Sequence, residues 1–248
     1  MSSQSAQDPL NPRLPNIHLL CKFESASKAF KEAVKKYYPK LHDHTTVTIH
    51  NCSLARLPPD VQIDAIVSPA NSYGFMDGAF DDAISIFLSP NPKEGYSWTT
   101  KKVQSALYKK SRGYAPPGSC TLIDNAGPYE ESENHKAGCR YIALCPTMRV
   151  PHQVKWDREV IFECIWSLLC AIDTHNQEIG DEHLQIKNIL MTPLATGVGR
   201  VSDAKWAAQC VLAMKYWVEA VENSGKWSNL QWEDVYNFSE ALELTHGL

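Results

Sequence analysis

The stretch IDAIVSPAN at residues 63–71 decides the fold of this chain. Its first six residues form an almost continuous apolar run, which is typical of a strand that is covered on both faces. A loop that contains Gly74 and Gly78 follows, and a helix is predicted from about Phe80 to Leu88. A buried strand, a glycine-containing loop and a helix in this order form the repeating unit of α/β proteins.

Strands and helices alternate on both sides of this unit. Short apolar or β-branched runs predict further strands at residues 17–23, 45–50, 119–123, 140–145 and 186–194. Apolar residues at helical spacing predict helices at residues 25–38, 98–110, 156–174 and 202–221, with Asp157 and Ser202 as the N-caps of the last two. This alternation predicts a three-layer α/β/α sandwich with a mixed, largely parallel central sheet and functional loops at the carboxyl ends of its strands.

The length of 248 residues fits one large domain or two small ones. No linker interrupts the middle of the chain and no internal repeat is present, so we predict a single domain over residues 16–248. Prolines with several Ser and Gln residues predict a disordered lead at residues 1–15. A C-terminal extension begins at about residue 223, and we expect its Trp227 and Trp232 to pack back onto the domain.

Composition narrows the classes of function. A hydrophobic share of 44% with 21% charged residues is globular rather than disordered. The net charge of −4 disfavours a broad basic surface, so we expect no nucleic-acid partner. No apolar run approaches about 20 residues, and the N-terminus lacks the apolar region of a secretory signal. We expect no membrane contact and a soluble protein of the cytoplasm, with the nucleus as a second compartment; the sequence does not indicate the oligomeric state.

The eight cysteines are expected to be reduced thiols that pack as small apolar side chains. The alternative is a zinc site, for which the candidate ligands are His42, His44, His50 and Cys52, or His135 and Cys139. Neither cluster has the paired short spacings of a structural zinc site. We therefore expect no metal and no cofactor.

Two loops carry the functional signal, and each follows a buried strand. The first begins at residue 69, and the second is ATGVGR at residues 195–200. Small residues allow backbone N–H groups to approach a ligand, and each loop leads into the N-terminus of a helix, whose dipole favours an anion. Two such loops that face one crevice would suit a diphosphate without lysines. Neither has the glycine pattern of the classical dinucleotide-binding or P-loop motifs.

The order of these segments resembles the macro domain family. DAIVSPAN at residues 64–71 and FDDAI at residues 80–84 resemble that family's usual DAIVNAAN and VDGAI, with a glycine-bearing loop between them. PGS at residues 117–119, the strand at residues 140–145 and the loop at residues 192–200 follow in the family's order, so the resemblance covers residues 17–222. Residues 144–149 and 195–200 look most like a fungal branch of macro-domain-like proteins.

The resemblance implies a site for ADP-ribose or a derivative of it, with the diphosphate and the distal ribose between the two loops. It implies that Asn71 contacts the distal ribose and that Asp81 orients or activates a water molecule there, so these two residues are the catalytic candidates. The implied ligand-binding residues are Asn51, Cys52, Ser68, Gly74, Phe75, Met76, Gly78, Ala79, Phe80, Ala195, Thr196, Gly197, Val198, Gly199 and Arg200.

The activity that the resemblance implies is hydrolysis of a group from the distal ribose, as an ADP-ribose 1″-phosphate phosphatase or a mono-ADP-ribosyl hydrolase. One alternative is a non-catalytic module that binds ADP-ribose or a related nucleotide. Another is a macro-like fold whose pocket has changed to bind a different phosphorylated ligand, or none.

Several positions depart from the family's pattern. Ser68 and Pro69 replace an asparagine and an alanine, and Asp77 places a negative charge near the expected diphosphate. Arg200 replaces a small residue and can add charge-assisted contacts to phosphate. The aspartate that commonly reads adenine, just after the second strand, is absent, and Asn51, Cys52 and Ser53 occupy its place. The Asn51 carbonyl can still accept from the adenine amine.

On the residues alone, each catalytic candidate also has a structural interpretation. Asn71 can cap a turn, because asparagine favours such positions. Asp81 can be a first-turn acid that stabilises the N-terminus of the helix after the loop.

Overall fold

The computed structural model describes residues 14–89, 96–125 and 138–248. Its strands are β1 (Asn16–Leu20), β2 (Val47–His50), β3 (Ala65–Ser68), β4 (Thr121–Asp124), β5 (Tyr141–Leu144) and β6 (Asn188–Met191). Its helices are α1 (Glu24–Tyr37), α2 (Ala79–Leu88), α3 (Tyr96–Ser111), α4 (Val160–Glu178), α5 (Asp203–Glu222), α6 (Ser224–Trp227) and α7 (Trp232–Glu243). Most of the predicted lead and His135 lie outside the described residues. Among the described helices, none has the length and apolar character to cross a membrane.

The strands form one sheet in the order β2-β1-β6-β3-β5-β4. Neighbouring strands are parallel except β4, which runs antiparallel to β5. At the middle of the sheet, Ala65 of β3 pairs with Tyr141 of β5 and with Ile189 of β6. The four residues of β3 are all buried, as the apolar run predicts. The observed sheet and its flanking helices confirm the predicted α/β sandwich with a mixed, largely parallel sheet.

Helices cover both faces of the sheet. Along β3, Ala65 and Val67 belong to a core that α1, α4 and α5 complete, whereas Ile66 belongs to a second core with α2 and α3. Successive strand residues point to opposite faces of a sheet, which explains this division. In the first core, Trp206 of α5 is fully buried and packs against Phe30 of α1 with 5.9 Å between ring centroids.

The starts of α5 and α4 differ in how well the sequence predicts them. The Ser202 hydroxyl accepts a hydrogen bond from the N–H of Lys205, which confirms Ser202 as the N-cap of α5. Asp157 is not the N-cap of α4, because that helix begins at Val160 with Glu159 in the N-cap position. The Asp157 carboxylate instead accepts from the N–H of Glu159 at 2.8 Å, so it stabilises a turn before the helix. The predicted helical start at residue 156 is therefore too early.

The C-terminal extension packs against α4 and α5. The Trp227 ring stacks on Phe238 of α7 with 4.8 Å between ring centroids and on Trp166 of α4 with 5.6 Å, as predicted for Trp227. Trp232 is 73% exposed and stacks on the exposed Tyr236. The prediction that Trp232 packs onto the domain is wrong, because α7 turns this pair of residues toward solvent.

Candidate functional site

The loops after β3, β5 and β6 meet at the carboxyl edge of the sheet and enclose a cleft of about 250 Å³. We call residues 69–78 loop 1 and residues 192–201 loop 2. The lining residues are Pro69, Ala70, Asn71, Phe75, Asp77, Gly78, Ala79, Phe80, Asp81, Thr147, Met148, Pro151, Thr192, Pro193, Ala195, Thr196, Gly197, Val198 and Gly199. The cleft therefore lies where the parallel strands direct their loops, as the sequence predicts.

Loop 1 and the first turn of α2 present backbone N–H groups that no acceptor in the described part of the chain satisfies. They belong to Asp77, Gly78, Ala79 and Phe80, which all line the cleft. A helix leaves its first N–H groups without intrahelical partners, and no side chain caps them here. Ala79 has a φ of 49°, a left-handed conformation that costs an alanine about 1 kcal/mol. Such strain is typical of functional loops.

Loop 2 presents a longer run of the same kind. The N–H groups of residues 195–199 donate to no acceptor among the described residues, and these residues all line the cleft. The Val201 N–H donates to the Ala195 carbonyl at 3.1 Å and closes the loop, with Ala195 at a φ of 57°. Gly199 is required at its position, because a Cβ there would lie 2.5 Å from the Ala195 carbonyl oxygen.

Loop 1, the first turn of α2 and loop 2 together carry nine backbone N–H groups without an acceptor in the described chain, all on residues that line the cleft. Among the described residues that line the cleft, none is Lys or Arg. Backbone N–H groups that converge near a helix N-terminus bind anions without basic side chains. The arrangement can therefore hold phosphate groups, with donors from two segments of the chain, residues 77–80 and residues 195–199.

The Asn71 side chain lines the cleft and also fixes the shape of loop 1. Its Oδ1 accepts from the N–H groups of Tyr73 at 3.0 Å and Phe75 at 3.4 Å. Its Nδ2 donates to the Phe75 carbonyl at 2.9 Å. These are the turn bonds that an asparagine favours. A contact between Asn71 and a ribose stays a prediction, and it would require one of these bonds to be shared or replaced.

Asp81 lies in the first turn of α2, half-buried in the lining of the cleft. The Ser68 hydroxyl donates to its Oδ1 at 2.7 Å. Burial raises the pKa of Asp81 to about 7, with the Ser68 hydrogen bond lowering it and the negative charge of Asp77 raising it. A carboxyl group with a pKa near 7 can gain or lose its proton at neutral pH, which a general acid or base requires.

The structure brings most of the predicted site residues together in the cleft. These are Asn71, Phe75, Gly78, Ala79, Phe80, Asp81, Ala195, Thr196, Gly197, Val198 and Gly199. They come from two loops that are more than a hundred residues apart in the chain, and the pairing of β3 with β6 places the loops side by side.

Gly74 and Met76, two of the predicted ligand-binding residues, are not among the residues that line the cleft. Gly74 has a φ of 69°, and a Cβ there would lie 2.6 Å from the Val103 side chain of α3. Met76 is fully buried, its N–H donates to the Thr100 hydroxyl at 3.0 Å, and its carbonyl accepts from Ser85 at 2.8 Å. Both residues anchor loop 1 to the core beneath it, and their contacts with a ligand stay predictions.

Four other predicted residues also lie outside the lining. Ser68 is fully buried and contacts the cleft through its hydrogen bond to Asp81. Asn51 is exposed and Cys52 is half-buried, directly after β2, which β1 separates from β6 in the sheet. Arg200 is exposed at the end of loop 2, with a φ of 57°. These four residues therefore do not line the cleft, and their contacts with a ligand stay predictions.

The loop after β5 supplies residues that the sequence analysis does not single out. Thr147, Met148 and Pro151 line the cleft. The Thr147 hydroxyl donates to the Pro69 carbonyl at 3.2 Å, and the Ser72 N–H donates to the Met148 carbonyl at 3.0 Å, so this loop and loop 1 are joined. The signal that could have found them is the position of the loop at the carboxyl end of a predicted buried strand.

Among the described residues, the cysteines and the candidate zinc ligands do not form a metal-binding cluster. The eight cysteines are free thiols. Within residues 14–89, 96–125 and 138–248, no three His, Cys, Asp or Glu side chains are grouped so that they could hold a metal ion.

Comparison with known proteins places the chain in a family. The family sequence model described as Macro-like domain matches residues 47–204, more than half of the chain. The chain belongs to the Macro-like domain family. The matched region begins at β2, contains both loops of the cleft and ends at the start of α5.

Similar solved structures are macrodomains of Oceanobacillus iheyensis. One with ADP is 16% identical with a TM-score of 0.45, over 63% of this chain and 70% of that chain. One with MES bound is 15% identical with a TM-score of 0.44, over 64% of this chain and 71% of that chain. A mutant with ADPR is 14% identical with a TM-score of 0.42, over 61% of this chain and 69% of that chain.

The family match leaves β1 and α1 outside its bounds. In the sheet, however, β1 lies between β2 and β6 and pairs with both of them. In this protein, the sheet of the matched region is therefore continuous only when β1, which precedes that region, is included.

Proposed function

We propose that the cleft binds ADP-ribose or a derivative of it, with the diphosphate held by the backbone N–H groups of loop 1 and loop 2. The observation that carries this proposal is the set of nine N–H donors without acceptors in the described chain, in a cleft whose described lining residues include no Lys or Arg. Membership of the Macro-like domain family and the motif at residues 64–71 support ADP-ribose as the choice among diphosphates.

The adenine end of the ligand would extend beyond the cleft. A cleft of about 250 Å³ is smaller than most sites for ligands of drug size, which begin at about 300 Å³. The carboxyl ends of β2, β1, β6 and β3 lie along one edge of the sheet, since these strands are parallel. We therefore propose that the ligand follows this edge toward Asn51 and Cys52, where the Asn51 carbonyl accepts from the adenine amine.

We also propose that the protein hydrolyses a group from the distal ribose, with Asp81 as the catalytic residue. In this step, ionised Asp81 accepts a proton from a water molecule that attacks the 1″ carbon or the phosphorus bound to the 1″ oxygen. Attack at the 1″ carbon breaks the bond between that carbon and the departing side chain, whereas attack at phosphorus breaks the bond between phosphorus and the 1″ oxygen. The proton that Asp81 accepted then passes to the leaving atom, which returns Asp81 to its ionised form. The products are ADP-ribose with inorganic phosphate, or ADP-ribose with the freed protein side chain. The pKa of about 7 that burial gives Asp81 supports this role near neutral pH.

A specific observation favours the alternative, a module that binds ADP-ribose without turnover. The Asn71 side chain is engaged in loop 1 through both its Oδ1 and its Nδ2. A residue that maintains the loop is less available to orient a ribose for attack. The hydrolase and the binding module would both hold ADP-ribose through the same N–H donors of the cleft. Only a measurement of turnover distinguishes the two.

Calorimetry and product release test the two proposals separately. Titration with ADP-ribose tests binding. Release of inorganic phosphate from ADP-ribose 1″-phosphate, and of ADP-ribose from a mono-ADP-ribosylated protein, tests hydrolysis. We expect Asp81→Asn to abolish turnover and to change ADP-ribose affinity by no more than a few-fold. Asp82→Asn is the matched control, because Asp82 is the next residue of the same helical turn and does not line the cleft.

The outcomes separate the proposals. Loss of turnover in Asp81→Asn but not in Asp82→Asn supports the hydrolase. Binding without product from either substrate supports the binding module. Unchanged turnover in Asp81→Asn contradicts the catalytic assignment, and absence of ADP-ribose binding to the wild type contradicts both proposals.

Four expectations from the sequence stay proposals. They are the boundaries of a single domain over residues 16–248, the kinship with a fungal branch through residues 144–149 and 195–200, the location in the cytoplasm with the nucleus as a second compartment, and the lack of a nucleic-acid partner. The net charge of −4 supports the lack of a nucleic-acid partner, and the similarity of those two segments supports the fungal kinship.

A further inference from the structure

A second groove lies between α4, α5 and α7, apart from the cleft. Its volume is about 610 Å³, larger than that of the cleft. Phe162 and Trp166 of α4 and Val235 and Phe238 of α7 line it, and residues 117–119 border it. The spacing within each pair places both of its side chains on one face of the helix.

The floor of this groove is a stack of aromatic rings. Phe162 stacks on Trp166, Trp166 on Trp227, and Trp227 on Phe238, with 6.0, 5.6 and 4.8 Å between ring centroids. The interplanar angles of these pairs are 19°, 25° and 13°. Because the rings cover one another's faces, they do not form an open cage for a quaternary ammonium group, which requires exposed ring faces. The floor is suited instead to an apolar side chain.

Two carboxylates border the same groove. Glu159 and Glu163 stand one helical turn apart at the start of α4, and both line it. Glu159 is paired with the His246 ring at 2.7 Å between Nε2 and Oε1. Glu163 has no cationic partner within the described part of the chain, and none of the described lining residues is Lys or Arg. The Lys226 ammonium lies 5.4 Å from the centroid of the Phe238 ring, and its ion-pair partner is Asp234 at 2.9 Å. The groove is therefore apolar along its floor and negative at one end.

Glu163 is exposed, and its surroundings disfavour the charged form of its carboxyl. Partial burial raises its pKa, and the negative charges of Asp157 and Glu159 raise it further. A cation placed beside Glu163 would relieve this repulsion. A guanidinium fits better than an ammonium, because its planar fork can donate to both oxygens of one carboxylate.

We propose that this groove binds a peptide segment of a partner protein that carries an arginine next to an apolar side chain. The apolar side chain lies on the ring stack, and the guanidinium donates to Glu163 at the end of the groove. This inference does not depend on the ligand of the cleft, since the two sites share no lining residue.

Nuclear magnetic resonance of the full chain tests the proposal. The probes are the peptide acetyl-Leu-Arg-Leu-amide and the same peptide with citrulline in place of arginine, which keeps the shape and removes the charge. The indole N–H signals of Trp166 and Trp227, assigned with Trp166→Phe and Trp227→Phe, report occupation of the groove. We expect these signals to shift with the arginine peptide and the citrulline peptide to bind about tenfold more weakly.

A matched pair of variants locates the charge that matters. Glu163→Gln should remove the preference for arginine over citrulline, whereas Glu178→Gln, at the other end of the same helix, should keep it. Equal binding of the two peptides, a preference that survives in Glu163→Gln, or indole signals that do not move at millimolar peptide would each overturn the proposal. A circular dichroism spectrum like that of the wild type establishes that the variants are folded.

Discussion

The replacement Asp81→Asn should change the pH dependence of stability in a defined way. Burial raises the pKa of Asp81 to about 7 in the folded protein, whereas an aspartate in an unfolded chain titrates near 3.9. The stabilisation that belongs to the protonated carboxyl is therefore fully present below about pH 4 and is lost as the pH rises to about 7. Asparagine carries no titrating proton, so the variant lacks this loss.

The size of the effect follows from the pKa. Between pH 5 and pH 7 the unfolded chain has already released the Asp81 proton and the folded chain retains most of it. Each pH unit in this interval costs the wild type about 1.4 kcal/mol, so two units cost up to about 3 kcal/mol. Water in the open cleft screens part of this effect. A domain is stable by about 5–15 kcal/mol, so the change is large enough to measure.

Urea unfolding at pH 5, 6, 7 and 8 measures this prediction. The free energy of unfolding of Asp81→Asn minus that of the wild type should increase by about 2–3 kcal/mol from pH 5 to pH 7 and then level off. A difference that stays constant over this range would refute the argument that the folded structure holds Asp81 protonated. Carbon-13 titration of the Asp81 carboxyl in the native protein gives an independent reading of the same pKa.

Four further predictions follow from the loops and the sheet. Asp77→Asn should lower the pKa of Asp81, because it removes the neighbouring negative charge; a carboxyl titration that does not move would contradict this. Gly199→Ala should destabilise the protein by about 1–3 kcal/mol in thermal unfolding, because its Cβ would meet the Ala195 carbonyl. Gly197 has open space around it, so Gly197→Ala should destabilise the protein by less than about 1 kcal/mol. Equal destabilisation by the two variants would contradict the loop geometry. Ala195→Gly should leave the free energy of unfolding unchanged or raise it by up to about 1 kcal/mol, because glycine adopts a positive φ without strain. A decrease of about 1 kcal/mol, which is the cost of replacing an alanine inside a helix, would contradict strain at this position. A chain limited to residues 47–204 should fail to fold by circular dichroism, because it lacks β1 between β2 and β6, and a cooperative unfolding transition would show that β1 is dispensable.

The central unit of the fold is predictable from the sequence because its signals are local. The apolar run at residues 63–68 specifies a strand buried on both faces, and the structure has β3 at the middle of the sheet. The small residues of loop 2 and the Ser202 cap specify a turn into a helix, and both are observed. Each of these features depends on residues that are neighbours in the chain.

The parts that the sequence does not predict depend on contacts between distant residues. Met76 lies in loop 1, yet its backbone is held by Thr100 of α3 and Ser85 of α2, so it enters the core rather than the cleft. Thr147 and Met148 carry no compositional signal of a binding site. They reach the cleft because β5 pairs with β3. The order of strands in a sheet depends on contacts between distant segments, so no single segment of the sequence predicts it.

The pKa of Asp81 is a further property that the sequence leaves open. The carboxylate is recognisable as a site candidate from the motif, ten residues after Asn71. Its burial and its hydrogen bond from Ser68 become visible only when β3 and α2 are placed together. Ser68 stands where the family usually has an asparagine, and the structure shows what its hydroxyl does: it stabilises the charged form of the Asp81 carboxyl through a hydrogen bond.

We propose that backbone N–H groups of loop 1, the first turn of α2 and loop 2 hold the diphosphate of an ADP-ribose derivative. A titration of nitrogen-15-labelled protein with ADP-ribose measures this contact residue by residue. We expect the amide signals of residues 77–80 and 195–199 to move together with ADP-ribose concentration and to follow a single binding constant. Saturation with ADP-ribose that leaves these amide signals in place, or that moves only signals elsewhere in the protein, would contradict it.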